Sequence, residues 1–178
     1  MPIESSLFEG VPYDYQMEGV RWMWLLSKEE LGLVLGDEMG LGKTFQIIFL
    51  FCLMKDRNNL PSLVVCPATL VSNWKREINK FAPKLKVYIH KGPKRTGSTE
   101  YLKKFDIIIT SYDTLISSKG EMQYLFSPIF WGLVILDEAQ AIKNPDAQRS
   151  IAVKNINSIS RIAVTGTPLE NRLSDTWS

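Results

Sequence analysis

Apolar residues in this chain fall into two patterns that alternate. Short continuous runs occur at Leu33-Val34-Leu35, Leu63-Val64-Val65-Cys66, Leu85 to Ile89, Ile107-Ile108-Ile109, Leu133-Val134-Ile135-Leu136 and Ile162-Ala163-Val164. Between most of them, apolar positions recur every third or fourth residue. Tyr13, Met17, Val20 and Trp24 predict an amphipathic helix over 13–28, and the stretch from about 43 to 55 predicts a second. Leu70, Trp74, Ile78 and Phe81 mark one face of a third, which Pro83 ends. Gly92-Pro93-Lys94-Arg95-Thr96-Gly97-Ser98 is rich in breakers and reads as a loop.

Short runs without polar alternation are strands buried on both faces, and helices between them make the crossovers that parallel strands require. The pattern predicts an α/β domain with a central, mostly parallel sheet and helices on both faces. Parallel crossovers bring every strand's C-terminal end to the same edge, where ligands of open α/β sheets bind. Five segments therefore become candidates for chemistry: 36–44, 67–73, 110–114, 137–140 and 165–172.

Composition narrows the picture modestly. A chain of 178 residues is long enough for a sizeable core and is expected to form one domain, 1–178. A net charge of +2 gives no global argument for nucleic acid, so any such partner must meet a local face. Cys52 and Cys66 each lie inside an apolar run and are expected as buried thiols, which suits a reducing, intracellular compartment. Met1-Pro2-Ile3-Glu4 lacks the basic start of a secretory signal. The longest apolar stretch, Ile47 to Met54, falls far short of the ~20 residues that span a bilayer, so no membrane partner is expected.

Residues 36–44 read Gly-Asp-Glu-Met-Gly-Leu-Gly-Lys-Thr between a strand and a helix. Such a turn aims backbone N–H groups and a helix N-terminus at one point, which is a phosphate site. Lys43 can reach terminal phosphates and the Thr44 hydroxyl can hold magnesium. Asp37 stands where the strict phosphate-loop pattern has its first glycine. Asp137 and Glu138 directly follow a buried run, where paired carboxylates are costly unless a cation meets them. In a nucleotide enzyme Asp137 holds magnesium and Glu138 activates water; a solvated acidic turn has the same sequence. Thr165-Gly166-Thr167-Pro168 can bridge the acidic turn and a phosphate, or simply turn the chain. Pro67-Ala68-Thr69 and Thr110-Ser111-Tyr112 each stand where a strand gives way to a helix. Their hydroxyls suit either a nucleic-acid phosphate or helix capping. The single His90 closes an apolar run and reads as a strand-end polar residue. Lys91, Lys94 and Arg95 form a basic loop that reads as solvated, with an approach to DNA as the alternative.

Taken together, Asp37 to Thr44, Asp137 to Gln140 and Thr165 to Trp177 resemble the first RecA-like lobe of superfamily-two helicases. Val65-Cys66-Pro67-Ala68-Thr69-Leu70 with Asn73-Trp74, Ile109 to Tyr112, and Ala141-Ile142-Lys143-Asn144-Pro145 narrow the likeness to SWI/SNF-type ATPases. The resemblance runs from about Tyr13 to the last residue. It implies a RecA-like P-loop NTPase fold with ATP and Mg2+ as ligands. Asp37, Glu38, Met39, Gly40, Leu41, Gly42, Lys43 and Thr44 then cradle the nucleotide, and Gln16 reads the adenine edge. Asp137 and Thr44 hold the metal, Glu138 activates water, and Gln140 bonds across to the coupling residues Thr165, Gly166 and Thr167. Pro67, Ala68, Thr69, Thr110, Ser111 and Tyr112 track a DNA phosphate backbone. Two departures stand out: Tyr13-Asp14 where the family often has Arg-Pro, and Gln140 where many members have His.

The resemblance further implies that ATP lies between two RecA-like lobes and that the second lies outside these residues. The expected function is that of the ATP-binding half of a duplex-DNA-stimulated ATPase or translocase. The isolated lobe is expected to be a monomer that hydrolyses poorly. The parent is expected in the cytoplasm and nucleoid of a prokaryote or the nucleus of a eukaryote. A strand-separating helicase lobe and a non-catalytic interaction platform are the rival readings.

Overall fold

A computed structural model describes residues 5–9, 32–35, 43–117, 120–138 and 156–164. Six strands form one sheet: β1 (Gly32–Leu35), β2 (Ser62–Cys66), β3 (Val87–His90), β4 (Ile107–Ser111), β5 (Trp131–Asp137) and β6 (Ser158–Val164). Their spatial order is β1-β6-β5-β2-β4-β3, and every neighbouring pair is parallel. All six strands predicted from apolar runs are present. The predicted helix over 13–28 lies outside the described residues.

Period-two geometry splits the apolar runs of β2, β4, β5 and β6 between two cores. Val64, Ile107, Ile109, Leu133, Ile135, Ile162 and Val164 face one side, and Leu63, Val65, Ile108, Val134, Leu136 and Ala163 face the other. The first core is closed by helices α1 (Lys43–Asn58) and α2 (Val71–Phe81). The second is closed by the short helices α3 (Thr99–Leu102) and α4 (Tyr112–Ser117) with a π-helical turn at Met122–Phe126. Helices therefore cover both faces of an all-parallel sheet.

Local chemistry sets the ends of these elements. In α1 every residue from Gln46 to Met54 is buried, so it is a central helix with little solvent face. It runs three residues beyond the predicted end and stops at Asn59. That residue takes a left-handed φ of 53° and donates its N–H to the Lys55 carbonyl at 3.1 Å. Phe8 packs its ring against Phe45, Phe49 and Phe81, which pins residues 5–9 across α1 and the end of α2. Strand β6 begins at Ser158, four residues before its apolar run, because its polar start pairs with the start of β5 at Trp131. Leu85 lies outside β3: its N–H closes a turn onto the Ala82 carbonyl at 3.1 Å.

Candidate nucleotide and nucleic-acid site

The strand register aligns the segments that carry candidate chemistry. Leu35 of β1 pairs with Val164 of β6, and Val164 pairs with Asp137 of β5. β1, β6 and β5 therefore end at one level, spaced ~5 Å apart, and the chain continues from them into the segments that begin at residues 36, 165 and 138. On the other side of β5, Val65 pairs with Leu136, and Cys66 pairs with Ser111 of β4. Pro67-Ala68-Thr69 and Thr110-Ser111-Tyr112 thus reach the same edge. Lys43 and Thr44 open α1, and Thr44 is half-buried there. Gln16, Asp37, Glu38, Met39, Gly40, Leu41, Gly42, Gln140, Thr165, Gly166 and Thr167 lie outside the described residues.

Asp137 ends β5 half-buried and is held from both faces of the sheet. From the first core, the Trp74 indole Nε1–H donates to Asp137 Oδ2 at 2.8 Å. From the second, the Tyr112 hydroxyl donates to the Asp137 backbone carbonyl at 2.9 Å. Glu138 follows with a left-handed φ of 52°, a conformation that costs a non-glycine residue on the order of 1–3 kcal/mol. Such a kink turns the chain off the strand axis immediately after the carboxylate. Burial lifts the Tyr112 phenol well above its ordinary range, and the negative charge of Asp137 adds to that. Burial likewise pushes the Cys66 thiol up to about 12, again reinforced by Asp137. Both groups stay neutral beside the carboxylate.

The two candidate nucleic-acid segments separate sharply. Thr69 is exposed at the sheet edge, in a 3-10 turn (Ala68–Leu70) that Pro67 precedes and α2 follows. By contrast, Thr110, Ser111 and Tyr112 are almost wholly inaccessible, at 0%, 0% and 2%. Thr110 Oγ1 donates to the His90 carbonyl at 2.8 Å. Ser111 Oγ accepts the Thr114 N–H at 3.1 Å and shares a 2.8 Å contact with the Thr114 hydroxyl. Ser111 therefore caps α4, and burial leaves residues 110–112, which the sequence put forward for DNA contact, almost no free surface; of the three, only Tyr112 holds the Asp137 main chain.

Sequence reasoning placed Trp74 on an apolar helix face and in the family-like Asn73-Trp74 pair, but missed its bond to Asp137. The available signal was chemical, since a buried indole N–H needs an acceptor and β2, which leads into α2, lies beside β5. The basic loop also differs from expectation at Arg95. That guanidinium turns inward, its Nε 3.0 Å from Glu121 Oε1, while Lys91 and Lys94 remain exposed. His90 ends β3 as expected. Both cysteines are free and buried. No helix among the described residues is long and apolar enough to cross a membrane.

Comparison with known proteins agrees with this geometry. Residues 15–178 match the family model described as the SNF2-related domain. A putative ATP-dependent helicase/translocase of Bacillus subtilis is 37% identical over 98% of this chain, and the ISWI chromatin-remodeling complex ATPase of Saccharomyces cerevisiae is 36% identical over 92%. The SWI2/SNF2 ATPase core of Sulfolobus solfataricus, solved in complex with double-stranded DNA, superposes with a TM-score of 0.81 over 99% of this chain at 37% identity. This chain spans 19% of the Bacillus protein, 15% of the yeast protein and 36% of the solved Sulfolobus chain. With the match running through nearly every residue and the strand-edge geometry in place, the chain belongs to the SNF2-related domain family and has its RecA-like fold.

Proposed function

We propose that this chain is the ATP-binding lobe of a DNA-stimulated ATPase that translocates on double-stranded DNA or remodels protein–DNA complexes. The observation that carries the reading is the common row of Leu35, Val164 and Asp137 at the sheet edge, from which three motif-bearing segments leave side by side. The names of the relatives support ATP use, and the solved DNA complex of the Sulfolobus neighbour supports a duplex track.

In this reading backbone N–H groups of 37–42, with Lys43, take the phosphates, and Gln16 reads adenine. Glu138 orients and deprotonates the attacking water. Gln140 bonds across to Thr165-Gly166-Thr167, which relays the nucleotide state. Pro67, Ala68 and the exposed Thr69 meet the DNA backbone. A second RecA-like lobe, outside these residues, completes the cleft and supplies the arginine whose loss typically costs ~10³–10⁵ in rate.

The donor set fits magnesium. Asp137 and Thr44 offer hard oxygen, the neighbouring Cys66 stays a thiol, and one Asp137 oxygen is already fixed by an N–H donor. Magnesium takes one or two protein ligands and would complete its shell with water and phosphate. When bound, it neutralises charge developing on the transferring phosphoryl group.

Steady-state ATP turnover of the full-length protein, with and without duplex DNA, tests the reading. DNA should stimulate turnover, and Lys43→Ala should abolish it while leaving the melting temperature unchanged. Full activity in Lys43→Ala would remove the phosphate assignment. Vigorous DNA-stimulated hydrolysis by the 178 residues alone would remove the need for a second lobe.

A further inference from the structure

In the proposed function Asp137 is the metal-binding carboxylate, and the role inferred for its indole partner rests on that reading. We propose that Trp74 is a positioning residue for Asp137, and that it ties this carboxylate to the exposed turn where nucleic acid is met. Three observations converge on this. First, the contact is specific: the indole N–H reaches one carboxylate oxygen, Oδ2, at 2.8 Å and leaves Oδ1 to other partners. A half-buried carboxylate with one oxygen held by a fixed donor keeps its other lone pairs aimed in one direction, which is how groups behind a metal ligand set its geometry.

Second, the donor is itself immobilised. Trp74 is 3% exposed and shares the first core with Val71 and Ile78 of its own helix and with Phe51 of α1, whose ring centroid lies 6.3 Å away. Rotation of the indole would break that packing, so the N–H follows the helix as a rigid body. Third, the helix begins at the turn. The Leu70 N–H closes the turn onto the Pro67 carbonyl at 2.9 Å, Val71 continues it directly into α2, and Trp74 lies one helical turn beyond Leu70. A displacement of Thr69 is therefore transmitted to the indole through a single helical turn, with no flexible segment between. Tyr112 holds the Asp137 main chain from the opposite face. The main chain is thus anchored while the carboxylate is steered, and movement of α2 re-aims the carboxylate instead of shifting the strand.

The test uses the full-length protein and a fluorescent, non-hydrolysable ATP analogue, titrated with MgCl2 in the presence and absence of duplex DNA. Trp74→Phe keeps an aromatic ring and deletes the N–H. It should raise the Mg2+ midpoint by about tenfold, the lower end of what loss of a group behind a metal ligand costs. In the unmodified protein, duplex DNA should shift that midpoint and Trp74→Phe should abolish the shift; a midpoint that DNA leaves unmoved in the unmodified protein overturns the link to the turn. A role confined to packing would lower the melting temperature and leave the midpoint unmoved, and that result overturns the proposal. If the unmodified protein binds the analogue in a Mg2+-dependent way, an unmoved midpoint in Trp74→Phe overturns this proposal alone; analogue binding that ignores Mg2+ overturns the nucleotide-site reading as well. Hydrogen exchange on the unmodified protein supplies a second measurement should Trp74→Phe fail to fold. Adding Mg2+ and analogue should slow exchange of the amides from Ala68 to Trp74, and unchanged exchange there overturns the link.

Discussion

The chain has one histidine, so its stability between pH 7.5 and 5.5 should report a single imidazole. His90 is fully buried at the end of β3 with Phe126 edge-on at 5.2 Å and Tyr88 at 6.1 Å. Its Nε2 lies 3.3 Å from Glu121 Oε1, and that carboxylate is also held by Arg95 Nε at 3.0 and 3.3 Å. Burial lowers the His90 pKa, Glu121 opposes the shift, and the Arg95 charge adds to it. A lowered pKa means that the folded state disfavours the imidazolium. Its contribution to stability is complete above the ordinary histidine pKa of 6.5 and is lost as pH falls below it, when the unfolded chain takes up a proton that the folded chain resists. If the folded imidazole stays neutral down to pH 5.5, the loss reaches a ceiling of about 1.4 kcal/mol, one pH unit of linkage. For a domain of this size that is a fall of roughly 3–5 °C in melting temperature. Urea unfolding at both pH values, on the parent and on His90→Gln, isolates the effect, because carboxylates that begin to titrate at pH 5.5 do so in both proteins. The parent should lose more stability than the variant, by up to that ceiling. Equal losses, or a parent that gains stability at pH 5.5, would refute the reasoning and show that Glu121 governs the imidazole more than burial does.

Three further outcomes rest on particular contacts. Glu138→Gln should reduce ATP turnover of the full-length protein by ~10²–10⁴, the usual worth of a general base, with nucleotide affinity retained; undiminished turnover would take the base role from Glu138. Gly132→Ala drives a Cβ into Met54 Cγ and places it 2.7 Å from the Met54 Sδ inside the core. It should destabilise by about 1–3 kcal/mol, and adding Met54→Ala should cost less than the sum of the two changes; strict additivity in denaturant titrations would contradict the contact. Cys52 and Cys66 are both buried, with thiols pushed up to about 12. At pH 7.5 a fraction on the order of 10⁻⁴–10⁻⁵ is thiolate, so iodoacetamide should label both only after denaturation. Rapid labelling of either in the folded protein would count against its burial.

Much of the fold was legible because a strand buried on both faces cannot alternate. Leu63 to Cys66, Ile107 to Ile109 and Leu133 to Leu136 announce themselves as unbroken apolar runs, and the sheet then divides each run between two cores. The same logic fails where tertiary partners decide. Ser158 and Ser160 look like loop residues, yet they are strand because β5 lies alongside to pair with them. Leu85 looks like strand, yet a local turn takes its N–H. Short elements such as α4 and the π-helical turn at Met122–Phe126 offer too few residues for any period to show.

The candidate site divides along the same line. Which segments meet at the sheet edge followed from parallel connectivity alone, since every strand must end on the same side. What each side chain does there did not follow, because a hydroxyl or an indole N–H reveals its partner only when the strands are in register. Thr110, Ser111 and Tyr112 illustrate the difference. They sit at the right edge, beside the right neighbours, with the right chemistry for a phosphate, and all three are directed into the protein. Position on a functional edge is thus compatible with two roles, touching the ligand or bracing what touches it, and burial separates them. By that criterion Thr69 stays on the outside, while Tyr112 and Trp74 become the braces on either face of Asp137. In the proposed function, nucleic-acid binding and nucleotide chemistry would share one short path, from the turn at Ala68–Leu70 through the first turn of α2 to the carboxylate. A substitution that weakens the response to DNA without touching the exposed surface should therefore map to that path.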